Sequence, residues 1–489
     1  MILKNVRRFV PVSAEFLLES VRTLMEEEKG DNLLLLIRLG ADVNGVVESV
    51  VEGKMLGCRK VRSRQVVHFG KAARQERKPA TSDAYYEAAL HLAARRGCVA
   101  AVRRLASLGA FMEVKTGAPD VKGMTPLLLA ALEGHTAVVR LLLREKANVE
   151  TRDECGRMPL HSSALEGHVE VVEVLLAEGK ADVNAQDGCG KTALIVAAGE
   201  GNAELTEALL EEKADVDAVD KRGRTALTWA SIPGYTEVVR LLLEAGAGVK
   251  VVDLTGDTAL MWACRHGRTE TVRVLLEGGG KEPDVLNGVD LVGNTAVMWA
   301  CAGGYADLVK VLVEAGADLN CVNEKKERQT ALIDAAKRNH VGVVRALLEG
   351  KVDVNAVDGN GRSALIQAVL SGHESIVMAL LEGGADVNIR GEGGRSALLQ
   401  ACDYGRLKVV EALLERGADV GAVDSAGLSA LMISSIYGYK DLVKILLERG
   451  AKVAAVEKEG KNAAQWAREK GHTEVADILE NRTHEQETG

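Results

Sequence analysis

The chain has 489 residues, enough for several globular domains, but only 3% of them are aromatic and small or aliphatic residues are plentiful, which suits thin helical layers better than large cores. A formal net charge of −9 argues against binding nucleic acid or an anionic membrane over the whole surface. Eight cysteines without a Cys-x-x-Cys or any paired spacing point to reduced thiols and an intracellular setting, cytoplasmic or nuclear.

At the N-terminus, Met1 to Phe9 is basic but lacks the apolar run of a signal peptide, and no stretch of the chain is long and apolar enough to span a membrane. Leu33 to Asn44 (LLLLIRLGADVN) has the pattern of a second helix and its exit turn, with 14–29 as a divergent first helix, so 1–45 is expected to be a half-repeat or cap. Residues 46–83 interrupt the pattern as an insertion or linker. Within 46–80, nine Lys/Arg against Glu48, Glu52 and Glu76 give +6, which leaves −15 for the rest. Arg59-Lys60-Val61-Arg62-Ser63-Arg64 fits a nuclear signal, a pattern common by chance. Nine cations suit salt-dependent binding to phosphates, but Phe69 is the segment's one aromatic, so base stacking has little support.

From residue 84 to 482 one unit recurs about every 33 residues: Asp-x-x-Gly-x-[Thr/Ser]-Ala-Leu, then Ala-x-x-Gly-[His/Tyr], then Val-x-x-Leu-Leu-x-x-Gly-Ala-Asp-Val. The hydroxyl position falls at Ala88, Thr125, Met158, Thr192, Thr225, Thr258, Thr295, Thr330, Ser363, Ser396, Ser429 and Asn462. In the copy 358–388, Asp358 and Gly361 suit a tight turn, and Ser363 suits a helix N-cap. Ala364, Leu365 and Ala368 make a narrow first helix, and Ile376, Val377, Leu380 and Leu381 line a second. Gly384 fits the left-handed residue that closes it. Each pair of helices is apolar on both flat sides and must lean on neighbours, so a rod on the order of 100 Å is expected. Residues 483–489 read as a polar tail.

This pattern resembles the ankyrin repeat, with Thr125-Pro126-Leu127 and Met158-Pro159-Leu160-His161 nearest to its Thr-Pro-Leu-His core. The resemblance implies an all-α repeat solenoid: about 12 helix–turn–helix repeats with short β-hairpin-like turns and a concave face that binds proteins. Asn184, Asn355 and Asn388 resemble sites that asparagine hydroxylases modify in some family members. Four departures stand out. Lys146, Lys213 and Lys351 replace the closing Gly, so a strained Lys or another geometry is expected there. Asn339 replaces the Gly between the helices. The copy containing Gly278-Gly279-Gly280 is four residues too long, and Lys325–Gln329 lacks the usual turn, so 278–329 is expected to carry protruding loops or a hinge.

Residues 185–192 match a relaxed phosphate loop, but they align with Asp220–Thr225 of the next copy, so the repeat explains them. His135, His168, His340, His373 and His472 share one slot and His91 and His161 another, a structural recurrence suited to hydrogen bonds with local backbone or hydroxyl groups rather than a metal site. Cys264, Cys301 and Cys402 stand in for buried alanine, and Cys155 and Cys189 sit on neighbouring turn tips too far apart for a disulfide. Trp229, Trp262 and Trp299 hold one helical slot in three successive copies, and Trp466 holds it in the last; packing outweighs recognition there, though an aromatic stripe is also a hot-spot pattern. Arg265 and His266 lie beside it. Arg157, Lys191, Arg224, Arg362, Arg395 and Lys461 repeat just before the hydroxyl position and read as a solvated edge, broken at Asp257, Asn294 and Gln329.

Together these features predict a non-enzymatic scaffold or adaptor that needs no cofactor. Trp229, Trp262, Trp299, Arg265, His266, Arg222 and Arg224 are its candidate protein-binding residues. The alternative is a substrate-recruiting subunit of a ubiquitin ligase or kinase complex docking through residues 1–83. A small-molecule substrate is not expected.

Overall fold

The turn aspartate organises each repeat. In the copy beginning at Asp253, its Oδ1 accepts from the amides of Thr255 and Asp257 at 2.8 and 3.1 Å. Asp153, Asp187, Asp290, Asp358 and Asp424 do the same in their own copies. The turn closes on Gly256 at φ +76°, a left-handed conformation that side chains resist. Thr258 then caps the helix Ala259–Arg265, its hydroxyl accepting from the amide of Met261 at 3.2 Å. Ala259, Leu260, Met261, Ala263 and Cys264 are buried, so this short helix is apolar nearly all round. After Gly267 (φ +67°) the chain reverses into the helix Thr269–Leu275, where Val272, Val274 and Leu275 are buried.

The protein was analysed as a computed structural model that describes residues 82–107, 109–116 and 123–488. The expected half-repeat at 1–45, most of the basic insertion and the cluster at Arg59–Arg64 lie outside the described residues. The described residues fall into two compact units, divided between residues 226 and 227. In each, the first helices of successive repeats pack on one another and the second helices do likewise, giving two helical layers. Strand is confined, among the described residues, to the antiparallel pair Val322–Asn323 with Gln329–Thr330 and to isolated bridges such as Val357 with Ser363.

Side chains join each repeat to its neighbour through the neighbour's backbone. His135, His168, His340, His373 and His472 place Nε2 3.0–3.3 Å from carbonyls of the preceding repeat's first helix region, namely Arg95, Leu132, Ala302, Lys337 and Ile436. These bonds reach 36 to 40 residues back, so the histidine slot is an inter-repeat tie rather than a local one. On the turn side, Oδ1 of Asn184, Asn287, Asn320, Asn355 and Asn388 accepts from the amides of Asp215, Asp318, Asp353, Asp386 and Asp419 in the following copy, at 2.7–2.9 Å.

Several departures resolve. Lys146, Lys213 and Lys351 do take the left-handed conformation, at φ 63°, 62° and 61°, as does Asn339 at 66°. The four extra residues around Gly278 do not protrude as a loop. The second helix ends with Leu276 as its C-cap, the chain kinks at Gly278 and the left-handed Gly279 (φ +114°), and a short helix, Pro283–Leu286, follows; Leu276, Val285 and Leu286 are buried. Apolar residues at these positions fold the insertion back onto the core. Two further differences concern the ends. The first described helix, Ser82–Arg95, begins ahead of Ala88, which offers no capping oxygen. The last helix, Thr473–Thr488, runs through the residues expected as a polar tail.

Candidate functional site

In the second unit the two repeats that begin at Asp253 and Asp290 carry their indoles on adjacent first helices, Ala259–Arg265 and Ala296–Gly303. The indole Nε1–H of Trp262 donates to Asp253 Oδ2 at 2.9 Å, and that of Trp299 donates to Asp290 Oδ2 at 2.9 Å. Both rings are therefore fixed by their own turn aspartate nine residues earlier, and their N–H groups serve the fold rather than a partner. The Arg265 guanidinium lies over both rings, 3.6 Å from the Trp299 centroid and 4.7 Å from that of Trp262. A cation held over two indole faces gains from both quadrupoles. His266 stacks on Trp262 with centroids 5.7 Å apart, and its Nδ1 lies 3.0 Å from the Trp262 carbonyl. It packs against the indole and is half-buried.

Three carboxylates lie beneath this stack. Arg265 Nη2 is 3.6 Å from Asp257 Oδ2 and 3.9 Å from Asp290 Oδ2. The Thr255 hydroxyl sits 2.5 Å from Asp253 Oδ1 and 2.8 Å from Asp257 Oδ2. One hydroxyl carries one proton, so it donates to only one of the two carboxylates at a time. Burial, with Asp290 and Asp253 nearby, pushes the Asp257 carboxyl above the ordinary range against the pull of Thr255 and Arg265. Burial also pushes Asp253 up, but hydrogen bonds from Thr255, the Trp262 indole and the Asp257 amide outweigh it and hold that carboxyl low.

Of the sequence-predicted residues, Trp262, Trp299, Arg265 and His266 come together. Trp229 is half-buried on the helix Ala226–Ser231. Arg222 and Arg224 belong to the Asp220 turn, where their amides donate to Asp220 Oδ1 at 2.8 and 3.0 Å. Four cations of the row form ion pairs while staying partly exposed at the edge. Arg157 meets Asp153 at 2.8 Å, Arg362 meets Glu392, Arg395 meets Asp403 at 2.7 Å, and Lys461 meets Glu469 at 2.6 Å. The last two pairs join the residue before the cap to the residue eight positions on. Asp257 and Arg265 have the same spacing with the charges exchanged. That complementarity was the available sequence signal, and it is visible only when copies are aligned.

Two features escaped sequence reasoning. Val252, Leu254, Val289, Leu291 and Val292 form exposed turn tips, with Leu254 and Leu291 at 70% and 63% exposure. The tips are joined by a bond from the Leu291 amide to the Thr255 carbonyl at 3.0 Å. Other copies place Glu154, Lys221, Glu324 or Lys458 where Leu254 and Leu291 stand. The second is a cleft of about 40 Å³ beside Trp299, lined by Asn294, Asn323, Lys326, Gln329, Asp334 and Arg338 among others. That volume admits the end of a side chain, roughly three waters, and not a metabolite.

The residues that look reactive have structural roles. In the phosphate-loop match, Asp187 Oδ1 takes the amides of Cys189 and Lys191, its carbonyl takes the amide of Gly190, and Cys155 O takes that of Gly188. The amides that would cradle a phosphate are thus committed to the turn. His161 accepts from the Met158 amide at Nδ1 and places Nε2 2.9 Å from the Lys191 carbonyl, and burial lowers its pKa. Cys264, Cys301 and Cys402 are buried, and burial alone or chiefly raises their thiols, Cys402 to about 12. Among the described residues no three His, Cys, Asp or Glu converge as metal ligands, and no helix is long and apolar enough to cross a membrane.

No curated protein matches the chain. The family model for ankyrin repeats, built on three copies, matches in overlapping blocks at 90–187, 160–253, 245–323, 320–391, 351–424 and 398–487. Such repeats are generally protein–protein interaction modules and typically non-catalytic. With matches running from residue 90 to 487 and the paired-helix layers seen above, the chain belongs to the ankyrin repeat family.

Proposed function

We propose that this chain is a non-enzymatic adaptor that binds a partner protein through the turn tips and first helices between Val252 and Arg338. One coincidence carries the reading. The two adjacent copies whose tips are apolar and exposed are the same two whose indoles flank Arg265. Aromatic and arginine anchors with a surrounding apolar rim are the composition of an interface hot spot. Covering each half-exposed aliphatic tip contributes on the order of 1 kcal/mol. The stack beneath is held by hydrogen bonds to Asp253 and Asp290, so little ordering is required on binding.

The test is the double substitution Leu254→Asp with Leu291→Asp in the full chain. Both side chains project at the surface, so the circular dichroism spectrum and melting profile should be unchanged. Affinity capture with cross-linking mass spectrometry should show wild-type cross-links clustering at 252–338, and the double variant should lose that partner. An unchanged set of partners and cross-links would overturn the proposal.

A further inference from the structure

The hairpin 322–330 differs from its neighbours in three linked ways. It is two residues longer than the common copy, and its tip residues Glu327 and Arg328 have positive φ. Its first turn residue is Asn323, where Asp253, Asp290 and Asp358 stand in other copies. Its helix carries Asp334 in the slot of Trp262 and Trp299. The turn thus has an amide in place of its buried carboxylate and carries Lys325 and Lys326 between Glu324 and Glu327, and a cleft lies between Lys326 and Trp299.

The donors in that cleft exceed its acceptors. Lys326 Nζ lies 3.3 Å from Asn294 Oδ1 and 5.7 Å from the Trp299 ring centroid, with no carboxylate partner among the described residues. Arg338 meets both oxygens of Asp334 through Nε alone, at 3.0 and 2.9 Å, so its Nη groups keep donor capacity. Asn294 is 6% exposed. Its Oδ1 accepts from Asn323 Nδ2 at 2.8 Å and from Lys326, which fixes the orientation of the amide, and its Nδ2 then has no partner. Lys326 and Arg338 against Asp334 leave the cleft at +1. A buried donor without an acceptor is costly and is relieved by a group that accepts.

We infer that this cleft receives the carboxylate of an Asp or Glu side chain from a partner segment that also places an aliphatic residue on Leu291 and Val292. Lys326 and Arg338 supply the charge, the Asn294 amide supplies a further donor, and the Trp299 face forms the apolar wall. The volume of about 40 Å³ suits a carboxylate better than a bulkier oxyanion. Asn294 follows Leu291-Val292-Gly293 in the chain. The turn Asp290–Gly293 brings Leu291 and Asn294 close together, so the acid and the aliphatic residue should be near neighbours in the ligand. The inference rests on the protein-binding reading above and narrows it to acidic–aliphatic segments.

A phage-displayed library of random peptides, panned on the full chain, tests it. Wild-type protein should enrich peptides that carry Asp or Glu close to Leu, Ile or Val. The strongest peptide should bind Lys326→Glu at least about tenfold more weakly, as for loss of a hydrogen bond to a charged group. Lys326→Arg should retain binding, and Arg338→Gln should lose part of it. Lys326 is exposed, so these variants should fold, as checked by circular dichroism. Leu291→Asp provides the control that separates the two claims. Peptides that lack an acid, or that ignore Lys326→Glu yet fail on Leu291→Asp, would overturn the carboxylate inference and leave the interaction surface standing. Peptides indifferent to both substitutions, or no enrichment at all, would count against both.

Discussion

Replacing Arg265 with Met tests the electrostatic account of the central stack. Met keeps the aliphatic packing of the stem while removing the charge. Two contacts with indole faces are lost, each worth about 0.5–1 kcal/mol for a partly exposed cation. Two ion pairs to buried carboxylates are lost as well. Their separations of 3.6 and 3.9 Å exceed hydrogen-bond length and Arg265 is about a quarter exposed, so about 1 kcal/mol replaces the several kcal/mol of a fully buried pair. The expected loss is about 2–3 kcal/mol, read by native-state hydrogen exchange over the peptides spanning 253–302 because repeats open locally. Its pH dependence is diagnostic. Asp257 already has a raised carboxyl, so the folded state holds a proton that the unfolded chain has released, and stability falls as pH rises through that window. Without Arg265 the carboxyl rises further, so the loss should be smaller at a pH on the acid side of that window and larger at a pH above it. Adding Asp257→Asn should recover about 1 kcal/mol and flatten the slope. An Arg265→Met cost below about 0.5 kcal/mol, equal at both pH values, would refute this reasoning.

Lys213→Gly should stabilise its repeat by about 1 kcal/mol, measured by urea unfolding, because a left-handed Lys pays a steric cost that Gly avoids. Asn388→Ala should speed amide exchange at Asp419 in the following copy and cost about 1 kcal/mol, the net value of the inter-repeat bond. Cys155 and Cys189 should react with Ellman's reagent in the native state, whereas Cys264, Cys301 and Cys402 should react only on unfolding.

The repeat was legible because its period, its N-cap hydroxyls and its closing glycines each answer a backbone requirement within a few residues. Even the exceptions followed that logic, as the left-handed Lys146, Lys213 and Lys351 show. What the single copy did not reveal lay between copies. The histidine slot bonds the carbonyl of the previous repeat, and Arg265 joins carboxylates from two successive turns. The insertion at Gly278 was read from its glycines as a loop, although Leu276, Val285 and Leu286 around it are the residues that draw it inward. For the candidate site, the tryptophan stripe was visible as a recurrence. The exposed Leu254 and Leu291 drew no notice, because isolated surface aliphatics are ordinary until two stand side by side.

The ties from histidine and asparagine have an evolutionary corollary. Each ends on a main-chain carbonyl or amide, groups that every residue at the receiving position supplies apart from the missing amide of proline. A module can therefore be duplicated, deleted or transplanted without its neighbour changing any side chain to match. Diversification of the outward-facing positions is uncoupled from the joints, which leaves tips such as Leu291 and Lys326 free to specialise while the units around them stay interchangeable.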